Sequence, residues 1–479
     1  MLLSELLEII ACSDVINFKD CSVKGVTDNS ENVRQGFVFV AIRGENSNGE
    51  KYIGSAIANG ACAIVSENKI EDNVNNTIIV ENTRKALAEL LSHFHRHPDE
   101  KLFLIGITGT KGKTTTAEIL YKLLDDTDES SVLIGTLGIK GLQNFCFDTG
   151  DNTTPRAEVI YSILDTAVRL GKRFVIIEVS SQALAQYRLY GIKFSIGIFT
   201  SFSEDHIGPG EHCSVEEYFS VKHSFFTDYG VRAAFINGDD EKGYPMTDTV
   251  EKVYSVGTND KSDYLLSRIF SHNKGIRFQL NGCEFCLSMH GNYNAINASL
   301  ALACASYITG LEMLAFSGSI SSIDISGRNE RYFKNGITVI IDFAHNAASF
   351  TEIYKSVKSP DKRLISVFGS VGCRSQTRRL PLALISEQYA DLSIITSDNP
   401  GKENADDICL EIYSCFKDKR KAHIVVDRSE AVRFAIQSAE RGDFVLLLGK
   451  GHEEYQLIGD KRVHFSEREL LLSLGFVKI

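Results

Sequence analysis

The sequence predicts an α/β protein of three domains with mostly parallel sheets. Short apolar runs rich in β-branched residues alternate with helical segments, which is typical of parallel strands covered by helices on both faces. The length of 479 residues suggests three domains at roughly 150 residues each. Because the strand pattern restarts twice, we place the domains at residues 1–98, 99–326 and 327–479.

The predicted strands follow one another through these three blocks. In the first, Gly36 and Gly44 bracket the run GFVFVAIRG as turns. The second opens with LFLIGI and continues through RFVIIEV, FSIGIFT and AAFIN. The third holds ITVIIDFA, LISVFG, DLSIITS, AHIVVD and DFVLLLG. Each run has the length of a buried strand.

The composition argues against several classes of protein. The formal net charge of −11 disfavours a general nucleic-acid binder, which usually carries a basic surplus.

The sequence also bears on membrane spans, targeting and metal-binding cysteines. No run approaches about 18 apolar residues, so we expect no membrane span. The N-terminus has no basic region before its apolar run, hence no secretory signal, which favours the cytoplasm. Eleven scattered cysteines, with a lone pair at Cys283 and Cys286, indicate reduced thiols rather than a zinc site.

The strongest local signal is residues 106–116, GITGTKGKTTT. A buried strand leads into this segment and the helical run TTTAEILYKLL leads out, which is the context of a phosphate-binding loop. Glycines let the backbone wrap a phosphate, and the amides at the helix N-terminus face the anion. The loop is a variant, because Ile107 stands where the first glycine is usual. The predicted ATP-binding residues here are Gly109, Thr110, Lys111, Gly112, Lys113, Thr114 and Thr115.

Polar side chains at the same sheet edge predict a metal site. Lys113 would meet the β- and γ-phosphates, and the Thr114 hydroxyl would meet Mg²⁺. Glu178 ends the run RFVIIEV and His206 follows FSIGIFT, so both lie where α/β sheets bind ligands. We therefore predict Thr114 and Glu178 as metal ligands, with Lys113 at the phosphates and His206 at the same rim. At this point a kinase, an NTPase and a ligase all remain open.

Seven segments, the phosphate loop among them, narrow the choice. They are TGTKGKTTT, EVSSQALAQYR, SEDH, GNYNAINA, SGRNER, DFAHNA and GKGHEEYQ, and the resemblance that they carry extends over nearly the whole chain. In this order they are similar to the Mur ligase family of ATP-dependent amide ligases. Within the family, TDNSENVRQGFVFVAIRG, NTTP and SDNPG resemble the branch that adds the third amino acid, a diamino acid, to UDP-N-acetylmuramoyl-L-alanyl-D-glutamate in peptidoglycan precursor synthesis.

The resemblance implies a role for each domain. The N-terminal domain would hold the uridine nucleotide, the central phosphate-loop domain ATP, and the C-terminal Rossmann-like domain the incoming amino acid. The implied reaction passes through an acyl phosphate, which the amine of the amino acid then attacks. ATP and Mg²⁺ are the implied cofactors, and we expect a monomer.

The resemblance implies His206 as a further metal ligand, and Lys113, Glu178 and His206 as catalytic residues. It also implies further site residues. On the nucleotide side they are Asn292, Asn297, Arg328, His345 and Arg374. Against the muramoyl-peptide they are Thr27, Ser30, Asn152, Thr153, Thr154, Ser180, Gln186 and Arg188. Around the amino acid they are Arg379, Asp398, Asn399, Gly449 and Glu453. Of these, Arg379 would bind the α-carboxylate of the amino acid. The chain departs from the family on the uridine side, where Asp28-Asn29-Ser30 replaces the usual D-S-R.

Lys222 lies on the predicted helix SVEEYFSVKHSFF. A lysine on a helix is most often solvated. The resemblance instead implies a carbamylated lysine at Lys222, formed when a neutral amine adds CO₂, whose anion would bind a second Mg²⁺. Burial favours the neutral amine that this addition needs. Lys222 therefore joins the predicted catalytic and metal residues.

Residues 397–401, SDNPG, bear on which amino acid is added. In family members that use meso-diaminopimelate, an arginine follows SDNP and clamps the distal carboxylate. Gly401 has no side chain, and burying a carboxylate without a partner is costly. We therefore favour L-lysine or another basic amino acid, whose cationic side chain Asp398 and Glu453 would receive. Lys402 or an arginine from another loop is the alternative clamp, and DNPG also fits a tight turn with glycine at positive φ.

Two other functions remain open. Folylpolyglutamate synthase and cyanophycin-type ligases share the phosphate loop and the acyl-phosphate route, although folylpolyglutamate synthase lacks a separate uridine-nucleotide domain. The other candidate is a non-catalytic, nucleotide-dependent scaffold. Intact Lys113, Thr114, Glu178 and Lys222 argue against a chain without activity.

Overall fold

The structure, a computed structural model, describes residues 1–44, 48–70, 76–127, 130–150, 152–204, 207–208, 211–272, 275–359, 361–373 and 376–479. Within these residues the strands form three large sheets and a separate hairpin. The α/β class with mostly parallel sheets is confirmed. The domain limits at residues 98 and 326 stay predictions.

The first sheet lies in the N-terminal part of the chain. Its elements are α1 (Leu3–Leu7), β1 (Cys12–Ile16), β2 (Gly25–Thr27), β3 (Phe37–Val40), α2 (Ile53–Ala58), β4 (Ala61–Ser66), β5 (Thr77–Val80) and α3 (Thr83–Phe94). The strand order is β1–β5–β4–β3–β2, with β1 antiparallel to β5 and the other neighbours parallel.

The second sheet carries the phosphate loop. Its elements are β6 (Phe103–Thr108), α4 (Lys113–Asp125), β7 (Ser131–Gly135), β8 (Gly138–Lys140), α5 (Ala157–Arg169), β9 (Phe174–Glu178), α6 (Ser181–Ala185), β10 (Ile196–Phe199), α7 (Val215–Asp228), β11 (Ala233–Asn237), α8 (Gly243–Met246), β12 (Lys252–Gly257), β13 (Tyr264–His272), β14 (Gly275–Leu280), β15 (Cys283–Leu287), α9 (Tyr293–Thr309) and α10 (Ser317–Ser321). The order is β15–β14–β13–β12–β11–β10–β6–β9–β7–β8. Strands β13 to β7 in this order run parallel, and antiparallel strands extend both ends.

The third sheet forms the C-terminal part. Its elements, with the hairpin β22–β23, are β16 (Glu330–Lys334), β17 (Ile337–Asp342), α11 (Ala347–Val357), β18 (Leu364–Phe368), α12 (Arg379–Tyr389), β19 (Leu392–Ile395), α13 (Ala405–Ser414), β20 (Ala422–Ile424), α14 (Arg428–Ser438), β21 (Phe444–Leu448), β22 (Tyr455–Ile458), β23 (Lys461–His464), α15 (Glu467–Ser473) and β24 (Val477–Lys478). The order is β20–β19–β18–β21–β17–β16–β24. Strand β16 is antiparallel to both of its neighbours, β17 and β24, and the other neighbouring strands are parallel. Short 3₁₀ turns lie at Gly49–Tyr52, Pro98–Lys101, Met313–Phe316, Gln376–Arg378 and Lys419–Lys421.

The central sheet is buried on both faces, which explains its continuous apolar strands. On β6, Leu104 packs into one core with Ile160 of α5 and Phe225 of α7. The next residue, Ile105, packs into a second core with Ile119 of α4 and Leu300 of α9. Because side chains alternate along a strand, each face needs its own apolar set. The carboxyl ends of β6, β9 and β10 therefore remain as the open edge for polar groups.

Two predictions from composition can be compared with the fold. Cys283 and Cys286 both lie on β15, three residues apart, so their side chains point to opposite sheet faces and do not form a metal pair.

Within the described ranges, no single helix is long and apolar enough to cross a membrane. The sharply bent helix pair Tyr293–Thr309 and Met313–Ser321 has sufficient length and apolar content only when the two are taken together.

Candidate active site at the edge of the central sheet

The phosphate loop between β6 and α4 has a backbone that only glycine accommodates. Gly109 and Gly112 have φ values of +147° and +83°. A Cβ on Gly109 would lie 2.1 Å from Thr200 Oγ1, and one on Gly112 would lie 2.4 Å from Asn297 Oδ1. The loop is braced from the end of β10, because Thr110 N donates to Ser201 O (2.7 Å). The predicted loop thus has the tight conformation that exposes helix N-terminal amides to an anion.

Two lysines from different helices meet at this loop. Lys113 Nζ donates to Gly109 O (2.8 Å) and Thr110 O (3.1 Å). Lys222 Nζ, from α7, donates to the same Gly109 O (2.9 Å). Lys222 is only 1% exposed and lies over the Tyr218 ring at 4.8 Å. The alternative of a solvated helix lysine is therefore wrong.

Glu178 lies in a cage of hydrogen-bond donors at the end of β9. Thr114 Oγ1 donates to its Oε2 (2.8 Å), and Thr136 donates through N to Oε1 (2.8 Å) and through Oγ1 to Oε2 (3.1 Å). Burial raises the pKa of Glu178, against these hydrogen bonds and the charges of Lys113 and Arg328. The predicted Thr114 and Glu178 are thus brought together with their oxygens in contact.

Sequence reasoning missed Thr136 and its neighbour Gly135. A Cβ at Gly135 would lie 2.2 Å from Glu178 Oε1, so only glycine leaves room for the carboxylate. Thr136 Oγ1 also lies 3.1 Å from Thr153 Oγ1, and this contact joins the cage to the predicted peptide side. The sequence signal for Thr136 is its place directly after Gly135, the last residue of β7, at the same sheet edge as Glu178.

The residues predicted against the muramoyl-peptide form one chain of contacts. Thr154 Oγ1 donates to Glu178 O (2.6 Å) and lies 3.1 Å from Ser180 Oγ. Arg188 donates to Thr154 O (2.6 Å) and holds Gln186 Oε1 through Nε and Nη2 (3.1 and 2.8 Å). Asn152 is half-buried on the loop before them.

A cluster of positive charge surrounds Arg188. Burial, together with the neighbouring Arg84 and Arg156, lowers the pKa of Arg188 to about 10. Arg84, on α3 of the N-terminal domain, was missed by sequence reasoning. Positive charges that lie near one another favour an anionic ligand between them.

The two residues predicted on the uridine side lie in the N-terminal domain. Thr27 is buried, and its Oγ1 donates to Glu158 Oε2 of α5 (2.9 Å). Ser30 is also buried, and its carbonyl accepts from Asn59 Nδ2 (2.9 Å). Thr27 therefore joins the N-terminal domain to the central one rather than facing solvent.

The C-terminal domain brings Arg328 towards Glu178. Burial lowers the pKa of Arg328, opposed by the charges of Asp342 and Glu178. His345 Nδ1 lies 2.8 Å from Phe343 O, in the same turn after β17. These predicted nucleotide-side groups thus lie at the boundary between the two domains.

Of the two predicted asparagines, only Asn297 lies against the loop. It is 6% exposed beside Gly112, whereas Asn292 is exposed and accepts from Ser271 Oγ (3.2 Å). Asn294, which was missed, is buried, accepts from Asn297 Nδ2 (3.3 Å) and donates to His290 O (2.7 Å). The predicted His206 and Arg374 lie outside the described residues.

Arg379, predicted on the α-carboxylate of the amino acid, is held by two glutamates. Its side chain is 3% exposed and pairs with Glu403 (2.6 Å) and Glu411. Its neighbour Arg378 lines a small cavity with Asp398 and His345. The sequence offers two adjacent arginines, and helix α12, which begins at Arg379, turns the second one inward. The role of Arg379 at the substrate carboxylate stays a prediction.

Lys450 joins the remaining residues of the predicted amino-acid site, and sequence reasoning missed it. It is fully buried and donates to Asn399 Oδ1 (2.8 Å) and Glu453 Oε2 (2.5 Å), with Asp398 at 3.9 Å. Gly449 has a φ of +104°, and a Cβ there would lie 2.5 Å from Asp398 Oδ2. The two carboxylates therefore already share one lysine.

Three stretches of the chain match known families. Residues 22–95 match the Mur ligase family, catalytic domain, residues 107–305 the Mur ligase middle domain, and residues 327–451 the Mur ligase, glutamate ligase domain. These matches follow the order of the three sheets.

Full-length relatives agree with these matches. The chain is 36% identical over 453 residues to UDP-N-acetylmuramoyl-L-alanyl-D-glutamate–2,6-diaminopimelate ligase of Aquifex aeolicus, covering 94% of this chain and 93% of that protein. It is 33% identical over 488 residues to the protein of the same name from Clostridium perfringens, with 99% of each covered.

Solved structures show the same fold. A structure of a ligase of that name aligns with a TM-score of 0.65 and 26% identity, covering 94% of both chains. A folylpolyglutamate synthase from Mycobacterium tuberculosis shares the fold, with a TM-score of 0.60 and 17% identity over 77% of this chain and 92% of that one.

Proposed function

This chain belongs to the Mur ligase family, and we propose that it joins a diamino acid to UDP-N-acetylmuramoyl-L-alanyl-D-glutamate in an ATP-dependent reaction. The observation that carries the proposal is the meeting of Lys113 and Lys222 at the Gly109 carbonyl, with Glu178 held by Thr114. Two lysines and a carboxylate around one phosphate loop suit the transfer of a phosphoryl group to an anionic acceptor.

The reaction proceeds in two steps. First, the side-chain carboxylate of D-glutamate attacks the γ-phosphorus of ATP, so that an oxygen–phosphorus bond forms and ADP leaves. Second, the amine of the amino acid attacks the acyl carbon, a C–N bond forms, phosphate leaves and the amine loses a proton. Lys113 would leave the loop carbonyls to meet the β- and γ-phosphates, which neutralises charge and positions the reactants.

Mg²⁺ fits the oxygen donors of Thr114 and Glu178. In the described part of the chain, no group of three His, Cys, Asp or Glu side chains is placed to hold a metal ion. Phosphate oxygens and water would therefore complete the coordination, as is usual for Mg²⁺. When bound, the ion would neutralise charge on the transferring phosphoryl group.

We also propose that Lys222 is carbamylated. Its burial and its contact with the phosphate loop fit a lysine that gains a carboxylate and turns from cation to anion. The carbamate oxygens would then offer a second Mg²⁺ the hard ligands it prefers.

Arg84, Arg156 and Arg188 would bind the anionic nucleotide-peptide at the boundary of the N-terminal and central domains. A bound anion would offset the repulsion of Arg84 and Arg156 on Arg188, and the Asp28 carboxylate offers Arg156 only a 3.6 Å contact.

The proposed substrates are a soluble nucleotide-peptide, ATP and an amino acid, so we expect the enzyme to act in the cytoplasm. We also expect a monomer.

For the amino acid we propose 2,6-diaminopimelate, which the relatives' names include. L-lysine is the alternative, since Asp398 and Glu453 could receive a cationic side chain, but Lys450 Nζ already donates to Glu453 (2.5 Å) and lies 3.9 Å from Asp398. Gly401 is the turn glycine that the sequence predicts, with a φ of +58°. The ADP-release assay described next decides between the two amino acids.

ADP release is the decisive measurement. The protein is incubated with ATP, Mg²⁺ and the UDP-muramoyl-dipeptide, and meso-diaminopimelate, L-lysine and L-ornithine are supplied in turn. Mass spectrometry then identifies the product. We expect ADP only when the nucleotide-peptide and a diamino acid are both present. ADP release that needs folate and glutamate instead would indicate a different amide ligase and contradict the proposal.

A further inference from the structure

Helix α6 ends in a backbone motif that usually contains glycine. Tyr187 N donates to Leu184 O (3.0 Å), and Arg188 N donates to Ala183 O (2.9 Å). These two hydrogen bonds form a Schellman motif, whose left-handed residue is glycine in most helices. Here that residue is Tyr187, with a φ of +55°. A bulky residue in this conformation is strained, which points to a role for its side chain that glycine cannot supply.

The Tyr187 ring meets a cation from the N-terminal domain. Lys85 Nζ, on α3, lies 4.9 Å from the centre of this ring and 5.2 Å from the centre of the Tyr190 ring. The two rings pack edge to face with their centres 5.9 Å apart, so both border the same ammonium group. All three side chains are half-buried, and a cation–π contact is stronger there than in open solvent.

This contact lies among the residues that are proposed to bind the nucleotide-peptide. Arg84 directly precedes Lys85 on α3. Gln186 and Arg188 flank Tyr187, and Arg188 donates to Gln186 Oε1 across it. Because adjacent residues share a backbone, a contact between Lys85 and Tyr187 constrains where the two arginines lie relative to one another.

We propose that Lys85 and Tyr187 are positioning residues, which hold the N-terminal and central domains so that Arg84 and Arg188 together face the anionic nucleotide-peptide. The inference rests on the proposed function, since it requires that substrate. Lys85 and Tyr187 act through the two arginines and not by contact with the reacting atoms. Glycine at position 187 would relax the backbone but would leave the lysine without its ring.

Two substitutions of Tyr187 separate a positioning role from a purely structural one. Tyr187→Gly removes the ring and relieves the left-handed backbone, whereas Tyr187→Ala removes the ring and keeps the strain. Both should raise KM for the UDP-muramoyl-dipeptide about three- to thirtyfold, the worth of one cation–π contact, with kcat and KM for ATP unchanged. Of the two variants, Tyr187→Gly should have the higher melting temperature. Tyr187→Phe keeps an aromatic face and should retain most of the affinity.

Lys85→Met tests the other side of the contact and should raise the same KM. Lys85 also lies near Glu89, where its charge opposes the rise in pKa that burial causes. A double variant therefore isolates the ring contact: Lys85→Met with Tyr187→Gly should raise KM no further than Lys85→Met alone. Lys419→Met is the matched control, because Lys419 lies 4.5 Å from the Tyr413 ring in the C-terminal domain. It should leave KM for the nucleotide-peptide unchanged.

Three results would overturn the inference. They are an unchanged KM for the nucleotide-peptide in Tyr187→Gly, additive rises in the double variant, or an equal rise in KM for ATP. The first would mean that only the backbone at the end of α6 matters, even if Tyr187→Ala were impaired. If the unsubstituted protein released no ADP with the UDP-muramoyl-dipeptide and any amino acid, the proposed function itself would fail, which is a separate outcome.

Discussion

The phosphate-loop edge and the amino-acid pocket are built in different ways. At the phosphate loop, Lys113 and Thr114 are neighbours in sequence, and Glu178 reaches them from the next strand in the sheet. In the amino-acid pocket, Asp398 and Lys450 come from separate loops and meet only when the sheet is complete. The first site depends on local backbone geometry, and the second depends on ion pairs between residues that are distant in sequence.

This difference decides what each region tolerates. The phosphate-loop lysine binds loop carbonyls that a phosphate can replace, so its removal affects chemistry more than folding. The buried Lys450 balances Asp398 and Glu453, so its removal leaves charges without a partner. We therefore expect activity to report on the first region and stability on the second.

The largest effect should come from Lys113→Ala, which tests the activity side of the comparison. The substitution removes the charge that meets the γ-phosphate in the transition state, so kcat for ADP release should fall about 10³-fold. The melting temperature should change little. Lys122→Ala is the control, because Lys122 lies on the same helix and forms a partly exposed pair with Asp126. Near-normal turnover by folded Lys113→Ala would rule out this role.

Lys222→Ala should come next. Losing the carbamate would lower kcat about 10²-fold or more, since a metal ligand between phosphate and acceptor is lost. A short carboxylic acid such as acetate should restore part of the activity by filling the space with a carboxylate. Two observations would count against carbamylation: no rescue at any acid concentration, or a plain ammonium at Lys222 in crystals of an active, bicarbonate-supplied enzyme.

Lys450→Met should show the opposite profile to Lys113→Ala. Leaving Asp398 and Glu453 buried without their cation should lower the free energy of unfolding by about 3 kcal/mol. KM for the amino acid should rise while KM for ATP stays the same. Urea denaturation and steady-state kinetics measure the two effects. A variant as stable as the unsubstituted protein would mean that the two regions do not differ in this way.

The same contrast explains how far the sequence could be interpreted. The strand runs predict the three sheets, and the phosphate loop predicts Lys113, Thr114 and Glu178, because glycine spacing and strand ends are local features. Arg378 and Lys450 were missed because two adjacent arginines, or one lysine in GKGHEEYQ, do not show in sequence which partner each will take. Thr136 was missed because its role depends on the neighbouring strand.

His452 provides the smallest test, at the place where the two regions meet. Burial, with the nearby charges of Arg328, Arg468 and Lys450, lowers the pKa of His452 to about 3 from an ordinary 6.5. The folded protein therefore keeps this ring neutral, while the unfolded chain takes up a proton below about pH 6.5. The contribution of His452 to stability is thus lost as the pH falls below 6.5.

His452→Gln should flatten this dependence. Between pH 7.5 and 5.5 the unsubstituted protein should lose about 1.4 kcal/mol more unfolding free energy than the variant, since one proton is bound only by the unfolded chain. His464→Gln is the control with the opposite sign, because the hydrogen bond that the His464 ring donates to Glu469 raises the pKa of His464. This pair stabilises the fold at low pH and ceases to do so as the pH rises. Urea titrations at the two pH values measure both slopes. Parallel slopes for the unsubstituted protein and His452→Gln would show that burial and the nearby cations do not keep this ring neutral in the folded protein.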